Sequence, residues 1–252
     1  MINKKYFYLF LIYLALLRPL GAHEHSTQEW VKTISIGSVG LAAAFGLSFV
    51  PTPQCSWCAT NKFDNSISNA LIWQNTAPIR ITSDIMAFGL TPVAAFGSLI
   101  FGASSTKGYL RDALVVLDSI AVTAALTELI KISARRARPD SIYGDDHSSQ
   151  ANRSFWSGHT SFTFAALTSA SVIAFRNSYP WAPYFAGFSA LLGSFVGYSR
   201  IAASRHWLSD VLVGMFVGVG AGLAMPFLTL DPPIPNLTIS ASSSNILIGF
   251  AF

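Results

Sequence analysis

The spacing of charged residues constrains this chain more than any other feature of its sequence. Five stretches contain no Asp, Glu, Lys or Arg, and they are Thr33–Asn61, Ile85–Thr106, Ser154–Phe175, Asn177–Ser199 and Val211–Leu230. Each is long enough for an apolar helix of about 20 residues, the length that crosses a bilayer. Leu110–Lys131 is a sixth candidate, although it contains Asp118 and Glu128, because charges inside a span normally face the bundle interior. The pattern predicts an all-α, multi-span transmembrane helical bundle with five or six spans.

The composition agrees with a chain that lies largely in lipid. Charged residues make up 11% of the 252 residues and hydrophobic residues 52%, whereas a soluble domain has about 25% charged residues. These values exclude a disordered chain, a coiled coil and a highly charged nucleic-acid binder. The net charge of +4 is small, so we expect membrane lipids, and no nucleic acid, as partners.

The start of the chain has the features of a targeting segment. Lys4 and Lys5 precede the apolar run Tyr6–Leu17, and the small residue Ala22 follows at the predicted cleavage position. The run is too short to span a bilayer, and this order is typical of a secretory signal peptide. We therefore predict a signal peptide over residues 1–22, with an uncleaved anchor as the alternative. Either reading indicates a bacterial envelope protein.

Three further regions follow the targeting segment. We predict an N-terminal apolar helix and a Cys-containing loop over residues 23–84, the helical bundle over 85–230, and a C-terminal tail over 231–252. The tail alternates apolar residues in two runs separated by Ser-Ser-Ser-Asn, which predicts a β-hairpin. Cys55 and Cys58 are compatible with a redox motif, half of a metal site, free thiols or a local disulfide. Of these, an exported chain favours the disulfide.

Small residues recur at four-residue spacing in the last two apolar stretches. Gly214, Gly218 and Gly222 follow one another in this way, and Gly193 and Gly197 repeat the pattern. Small residues on one helix face let two helix backbones approach closely in lipid. We therefore predict close packing of these helices, the alternative being merely flexible Gly-rich sequence.

The first of three polar clusters lies at the end of the sixth candidate span. Lys131 and Arg138 are seven residues apart, close to two helical turns, so they share a face if the helix continues to Pro139. Proline then ends the helix. The alternative is a basic cluster flanking the membrane, with Arg135 and Arg136 as further members.

The second cluster, Ser157-Gly158-His159, opens an apolar helix. Serine is a good N-cap, the start of a helix offers unpaired N–H groups to an anion, and glycine lets an oxyanion approach the backbone. The alternative is an ordinary cap with an incidental histidine.

The third cluster contains Arg200, His206 and Asp210. The last two are four residues apart and so share a helical face, where a carboxylate can orient an imidazole and stabilise its charged form. The guanidinium of Arg200 suits phosphate. The alternative is a surface His–Asp pair at a helix start.

Alternating spans bring the three clusters to one membrane face. The resulting pocket holds permanent cations, backbone donors and two histidines, which suits a phosphoryl group in transfer. The sequence shows no metal-ligand spacing. Between the clusters, Asp145, Asp146, His147 and Arg153 are predicted as a solvated loop, or as contacts to a substrate headgroup, and Asp118 and Glu128 as structural partners of Lys131.

These residues carry a resemblance to a known family. Lys131-x6-Arg138-Pro139, Ser157-Gly158-His159 and Ser199-Arg200-x5-His206-x3-Asp210 are similar, in order, to the three signatures of the type 2 phosphatidic acid phosphatase and vanadium haloperoxidase superfamily. The resemblance covers about residues 85–230. The family usually has proline where this chain has Trp156. One expected position for the indole of Trp156 is the lipid interface.

The resemblance implies a role for each residue. His206 would attack phosphorus and become a phosphohistidine, Asp210 would orient it, and His159 would protonate the leaving oxygen and then deprotonate water. The phosphoryl oxygens would be bound by Lys131, Arg138, Ser157, Gly158 and Arg200. The resemblance implies no metal and no cofactor.

The sequence therefore predicts a membrane phosphatase that acts on a phosphomonoester or pyrophosphate of a lipid. The alternatives are a phosphotransferase using the same phosphohistidine, a vanadate-dependent haloperoxidase and a non-enzymatic membrane protein. The lipid stays open among phosphatidate, phosphatidylglycerophosphate, undecaprenyl pyrophosphate and lipid A phosphates. We expect the bacterial inner membrane, with the pocket facing the periplasm if residues 33–50 form a helix that does not span.

Overall fold

The computed structural model describes residues 27–144, 148–230, 239–242 and 245–248. The predicted signal peptide lies outside the described residues, as do Asp145, Asp146, His147 and most of the tail. The helices are α1 Thr27–Leu47, α2 Lys62–Leu71, α3 Thr76–Ile85, α4 Thr91–Gly102, α5 Thr106–Ala134, α6 Pro139–Tyr143, α7 Gly158–Arg176, α8 Ala182–Ala202 and α9 Leu208–Thr229. A π-helical turn, Met86–Leu90, joins α3 to α4.

The predicted all-α bundle is confirmed, and each charge-free stretch contributes a helix to it. Within the described residues, three helical runs are long and apolar enough to cross a membrane, namely Thr76–Gly102, Thr106–Ala134 and Leu208–Thr229. The apolar part of α1, Val31–Leu47, is shorter. The total of five or six spans stays a prediction.

Helix starts are fixed by local capping. The side chains of Asn61, Asn75 and Ser105 accept hydrogen bonds from backbone N–H groups in the first turns of α2, α3 and α5. Ser157 does the same for α7, as predicted. Such caps satisfy N–H groups that the helix itself leaves unpaired.

The central helix is α5, which packs against α1, α7 and α9. Its side chains from Ala113 to Ala121 are buried on every face. Asp118 lies within this segment and is 0% exposed. Neither of its carboxylate oxygens has a hydrogen-bond partner among the described residues. The prediction that Asp118 partners Lys131 is therefore wrong.

The glycine spacing is explained by the contact between α9 and α7. A Cβ on Gly214 would lie 2.7 Å from the carbonyl oxygen of Ser157, and one on Gly222 would lie 2.8 Å from that of Ala165. A Cβ on Gly218 would meet the carbonyl of Ser161. The predicted close packing is confirmed, because the three glycines lie directly against the backbone of α7.

The chain does not continue as one helix from Lys131 to Arg138, and that prediction is wrong. Helix α5 ends at Ala134, and Arg135 adopts a left-handed conformation with φ 42°. The next residue, Arg136, pairs with Trp57 in an isolated β-bridge. Pro139 begins α6 rather than ending α5, since the first position of a helix needs no N–H donor.

Two short strands lie beyond the bundle. Strands β1, Ile239–Ser242, and β2, Asn245–Ile248, pair antiparallel, with Ile239 opposite Ile248 and Ser242 opposite Asn245. The rest of residues 231–252 is outside the described part of the chain, so the hairpin-like tail as a whole stays a prediction.

Replacing Gly218 by alanine tests the contact between α9 and α7. We expect Gly218→Ala to lower the thermal unfolding midpoint in detergent by about 5 °C, because overpacking typically costs about 1–3 kcal/mol. Gly220→Ala is the matched control, since a Cβ there meets nothing within 4 Å. Equal midpoints for the two variants would contradict this packing.

Candidate active site

The three polar clusters meet where α5 ends and where α7 and α9 begin. The backbone N–H of Ser157 donates to the carbonyl of Asp210 at 3.0 Å, which joins the starts of α7 and α9. A Cβ on Gly158 would lie 3.2 Å from Nζ of Lys131. The structure thus brings together Lys131, Arg138, Ser157, Gly158, His159, Arg200, His206 and Asp210.

Lys131 lies on the last turn of α5 and is buried. Its Nζ is 3.8 Å from Oε1 of Glu128, so Glu128 partners Lys131 as predicted. Glu128 also forms an ion pair with Arg153, which is buried and whose Nη1 donates to the carbonyl of Val50 at 2.9 Å. The prediction that Arg153 belongs to a solvated loop is therefore wrong.

Backbone and side-chain hydrogen bonds connect Arg138 to the loop before α7. Its N–H donates to the carbonyl of Ala151 at 2.9 Å, and its Nη2 donates to the carbonyl of Arg153 at 3.4 Å. Arg138 thus reaches the site from the loop after the helix break, and not from the helix that carries Lys131.

Ser157 is fully buried, and its hydroxyl is engaged in the helix cap. Its Oγ accepts from the Oγ1 of Thr160 at 2.9 Å and from the backbone N–H of Thr160 at 3.5 Å. The remaining N–H groups at the start of α7 are the donors that an anion can use.

His206 precedes α9 instead of lying on it, so the prediction that it shares a helical face with Asp210 is wrong. Trp207 caps the helix, and His206 comes one residue before that cap. Its Nδ1 is 2.8 Å from the carbonyl oxygen of Ser154 and 3.7 Å from Oδ2 of Asp210. A carbonyl can only accept, so Nδ1 carries the proton and Nε2 keeps a free lone pair.

The surroundings of His206 favour its neutral form. Burial lowers the pKa of the imidazole well below its ordinary value, and the nearby charges of Arg138, Arg200, Lys131 and His159 lower the pKa further. These surroundings favour the neutral imidazole, which carries its proton on Nδ1 and a lone pair on Nε2, the form that can act as a nucleophile.

Asp210 is fixed by several donors. Its Oδ2 accepts from the backbone N–H of Trp207 at 3.0 Å and from the hydroxyl of Ser154. Its Oδ1 accepts from Nη1 of Arg136. Ser154 thus contacts both members of the pair, since its hydroxyl binds Asp210 while its carbonyl binds His206.

Asp84 is a site residue that the sequence analysis missed. Its Oδ1 lies 2.7 Å from Nε2 of His159 and 3.2 Å from Nη1 of Arg200. The side chain is 52% exposed, at the mouth of the site. Phe88 lies one helical turn after Asp84, and its ring packs edge-on against the ring of His159, with 4.6 Å between the two ring centroids. The sequence feature that could have identified Asp84 is its position as a charged residue immediately before the charge-free stretch Ile85–Thr106.

Arg136 and Asp64 are two further residues that the sequence analysis did not place at the site. Nη2 of Arg136 donates to Oδ2 of Asp64 at 2.7 Å, while Nη1 reaches Asp210. The interpretation of Arg136 as a membrane-flanking residue is wrong, because its side chain is 1% exposed. No local pattern links Asp64 to residues so distant in sequence.

Trp156 lies inside the bundle and not at the lipid interface. Its side chain is buried, and its indole Nε1 donates to Oγ1 of Thr127 at 2.8 Å. The indole therefore ties the loop before α7 to α5.

Cys55 and Cys58 form a disulfide. The loop that they close pairs with the segment after α5, because the N–H of Ser56 donates to the carbonyl of Arg135 at 3.1 Å and the N–H of Ala137 donates to that of Trp57 at 3.1 Å. The disulfide loop is thus attached directly to the polar site. Within the described residues, no three His, Cys, Asp or Glu side chains are grouped to bind a metal.

Comparisons with known proteins point to one family. A family model described as the PAP2 superfamily matches residues 112–230. Lipid A 1-phosphatase of Porphyromonas gingivalis is 35% identical over 111 residues, which are 43% of this chain and 22% of that protein. Phospholipid phosphatase 2 of Rattus norvegicus is 28% identical over 138 residues, 48% of each chain. The chain thus spans about half or less of the length of these relatives.

Among solved structures, a transmembrane PAP2-type phosphatidylglycerolphosphate phosphatase from Bacillus subtilis superposes with a TM-score of 0.46 and 17% identity, over 89% of this chain and 95% of that one. The matched region, residues 112–230, contains all three polar clusters. Through this region the chain is similar to the PAP2 superfamily.

Proposed function

We propose that the chain is a membrane phosphatase which hydrolyses a phosphomonoester or pyrophosphate on a lipid through a phosphohistidine. The observation that carries the proposal is the setting of His206. Its Nδ1 is anchored on the carbonyl of Ser154, its other nitrogen keeps a lone pair, and three cations surround it, namely Lys131, Arg138 and Arg200.

The names of the relatives support a lipid substrate. One is called a lipid A 1-phosphatase and the other a phospholipid phosphatase, so both are named for phosphate groups on lipids. The apolar helices of the chain agree with a substrate held in a membrane, because three helical runs in its described part have the length and composition of spans.

The phosphoryl group is bound by cations and backbone donors in this proposal. Lys131, Arg138 and Arg200 supply positive charge, while the hydroxyl proton of Ser157 and the backbone N–H of Gly158 supply donors at the start of α7. Nε of Arg200 is buried and has no hydrogen-bond partner among the described residues. A phosphoryl oxygen would satisfy it, since guanidinium groups bind such oxygens well.

In the first step, the lone pair on Nε2 of His206 attacks phosphorus, and the bond from phosphorus to the ester oxygen breaks. His159 gives its proton to that leaving oxygen. Asp84 assists here, because a carboxylate 2.7 Å from the imidazole favours the protonated form that can donate. The His206 ring becomes positively charged, and Asp210 lies 3.7 Å from it.

In the second step, water attacks the phosphorus of the phosphohistidine. His159, now neutral, accepts a proton from that water, and the bond from phosphorus to Nε2 breaks. Inorganic phosphate leaves, and His206 returns to its neutral form with Nδ1 still bound to Ser154.

We place the enzyme in the bacterial inner membrane with the site on the periplasmic side. The disulfide Cys55–Cys58 is attached to the site through its loop, and disulfides persist in oxidising compartments such as the periplasm. The apolar part of α1, Val31–Leu47, is shorter than the three candidate spans. This favours a helix that packs on α5 without crossing the bilayer.

Removing the nucleophile tests the mechanism. We expect His206→Ala to reduce phosphate release from lipid phosphates by about 10⁴-fold or more, as loss of a nucleophile does elsewhere. His159→Ala should instead accumulate a phosphoenzyme when the leaving group is already good. Phosphate release and acid-quenched phosphoenzyme are measured, with Tyr184→Phe, an exposed residue on α8, as the control. Near-normal activity of folded His206→Ala would refute the mechanism.

Chelation and vanadate test how phosphoryl charge is met. Because Lys131, Arg138 and Arg200 provide that charge, we expect phosphate release to survive EDTA. Vanadate should inhibit, since it mimics the pentacoordinate state. Complete loss of activity in EDTA that Mg²⁺ restores would be decisive evidence against this binding mode.

Cysteine labelling tests the membrane side. Ser149 is exposed beside the disulfide loop and lines the same cavity as Cys55 and Cys58. With both native cysteines replaced by serine, Ser149→Cys should react with a membrane-impermeant maleimide once the outer membrane is permeabilised. Ser104→Cys, at the opposite end of α5, should react only after the inner membrane is broken. The reverse result would place the site in the cytoplasm.

A further inference from the structure

A network of buried charges lies behind His206. The guanidinium of Arg136 forms ion pairs with two carboxylates, since Nη1 reaches Oδ1 of Asp210 and Nη2 lies 2.7 Å from Oδ2 of Asp64. Both aspartates are 0% exposed. Asp64 lies on α2, outside the region of residues 112–230 that carries the family match.

The network is held rigidly. Ser209 donates to Asp64 through its backbone N–H at 2.9 Å and through its hydroxyl at 2.7 Å. The guanidinium carbon of Arg136 lies 4.1 Å from the ring centroid of Trp57 and 5.7 Å from that of Trp207. A cation stacked on aromatic rings and paired at both ends cannot turn toward water.

The network carries one net negative charge. Burial raises the pKa of Asp64, but the hydrogen bonds from Ser209 and Arg136 and the charge of Arg136 outweigh it and hold the pKa below its ordinary value. Asp64 is therefore ionised at neutral pH. The ion pair of Asp210 with Arg136 and its bonds from Ser154 and Trp207 stabilise the ionised form of that carboxyl as well. Two ionised carboxylates and one guanidinium sum to −1, whereas Asp210 and Arg136 alone would sum to zero.

The net negative charge of this network affects how well the site stabilises the phosphorylated His206. The ring of His206 gains positive charge when Nε2 attacks phosphorus, and the cations that bind the phosphoryl group oppose this gain. Asp210 is the carboxylate closest to the ring, at 3.7 Å. If Arg136 neutralised Asp210 completely, the buried ring would lose its counter-charge in a medium that screens poorly.

We propose that Asp64 is a positioning residue for the reaction at His206, which acts through Arg136 so that Asp210 keeps its negative charge available to the phosphorylated imidazole. The inference rests on the proposed function. It gives the N-terminal segment a place in the catalytic centre, because α2 supplies the second carboxylate and the disulfide loop supplies the indole that covers Arg136.

Asp64→Asn tests the inference in the purified full chain in detergent, with phosphatidate and p-nitrophenyl phosphate as substrates. The change keeps the shape of the side chain and removes its charge. We expect kcat to fall by about 10- to 100-fold, as for other groups that act on a catalytic residue from behind, with KM changed less than about threefold. Asp112→Asn is the matched control, since Asp112 is a buried acid paired with Arg111 at the other end of α5.

A double variant separates the effect of charge from that of packing. Arg136→Gln combined with Asp64→Asn restores the net charge of −1, while Asp210 keeps its bonds to Ser154 and Trp207. We expect Arg136→Gln to raise kcat in the Asp64→Asn background and to lower it in the native background. If the double variant is slower than both single variants, the role is one of packing and the inference is wrong.

Ser209→Ala keeps the test informative if Asp64→Asn does not fold. Its hydroxyl binds both Asp64 and Arg136, so we expect kcat to fall by about three- to tenfold, with the unfolding midpoint measured in parallel. If folded Asp64→Asn or Ser209→Ala has the same kcat as an active native chain, the inference is wrong and the proposed function stands. A native chain that releases no phosphate from either substrate would overturn the proposed function and the inference together.

Discussion

The pairing of buried charges at one end of an apolar bundle is the constraint on which this structure depends. A buried cation loses its hydration, and the loss is tolerable only if carboxylates and hydrogen bonds compensate it. Lys131 and Arg153 share Glu128, Arg136 lies between Asp64 and Asp210, and Arg200 contacts Asp84. These pairs let a chain with 11% charged residues hold several cations close together. In the proposed function, Lys131 and Arg200 are among the cations that bind the phosphoryl group.

Helix packing determines where those charges meet. The glycine face of α9 lies against the backbone of α7, with Gly214 directly at Ser157. That contact brings the start of α9 to the start of α7, where the N–H of Ser157 bonds to the carbonyl of Asp210. The position of His206 therefore depends on small residues in an apolar helix. In lipid, where apolar burial between helices gives little driving force, such close backbone contact is a main source of association.

Much of this could be predicted from sequence, and the remainder has an identifiable physical cause. The helical stretches and the three clusters could be predicted because they are local patterns of charge and of small residues. The break after Ala134 was not, because it depends on backbone pairing of Arg135 with the loop at residues 56 and 57. Likewise, Asp64 and Asp84 reach the site only through tertiary contacts. The displacement of His206 from α9 has the same origin, since its ring is anchored by Ser154, which lies before α7.

The two histidines of the site lie in opposite electrostatic surroundings, because their nearest neighbours differ. His206 is fully enclosed, and its closest partner is a neutral carbonyl, so burial and the nearby cations favour its neutral form. His159 lies at the mouth beside the carboxylate of Asp84, which favours its protonated form. These surroundings agree with the proposed mechanism, in which His206 gives an electron pair and His159 gives a proton. Asp84 and Asp64 both lie before residue 112, where the family match begins. The carboxylates paired with His159 and with the second end of Arg136 are therefore supplied by the N-terminal helices α3 and α2, while the proposed reacting groups lie in the matched region.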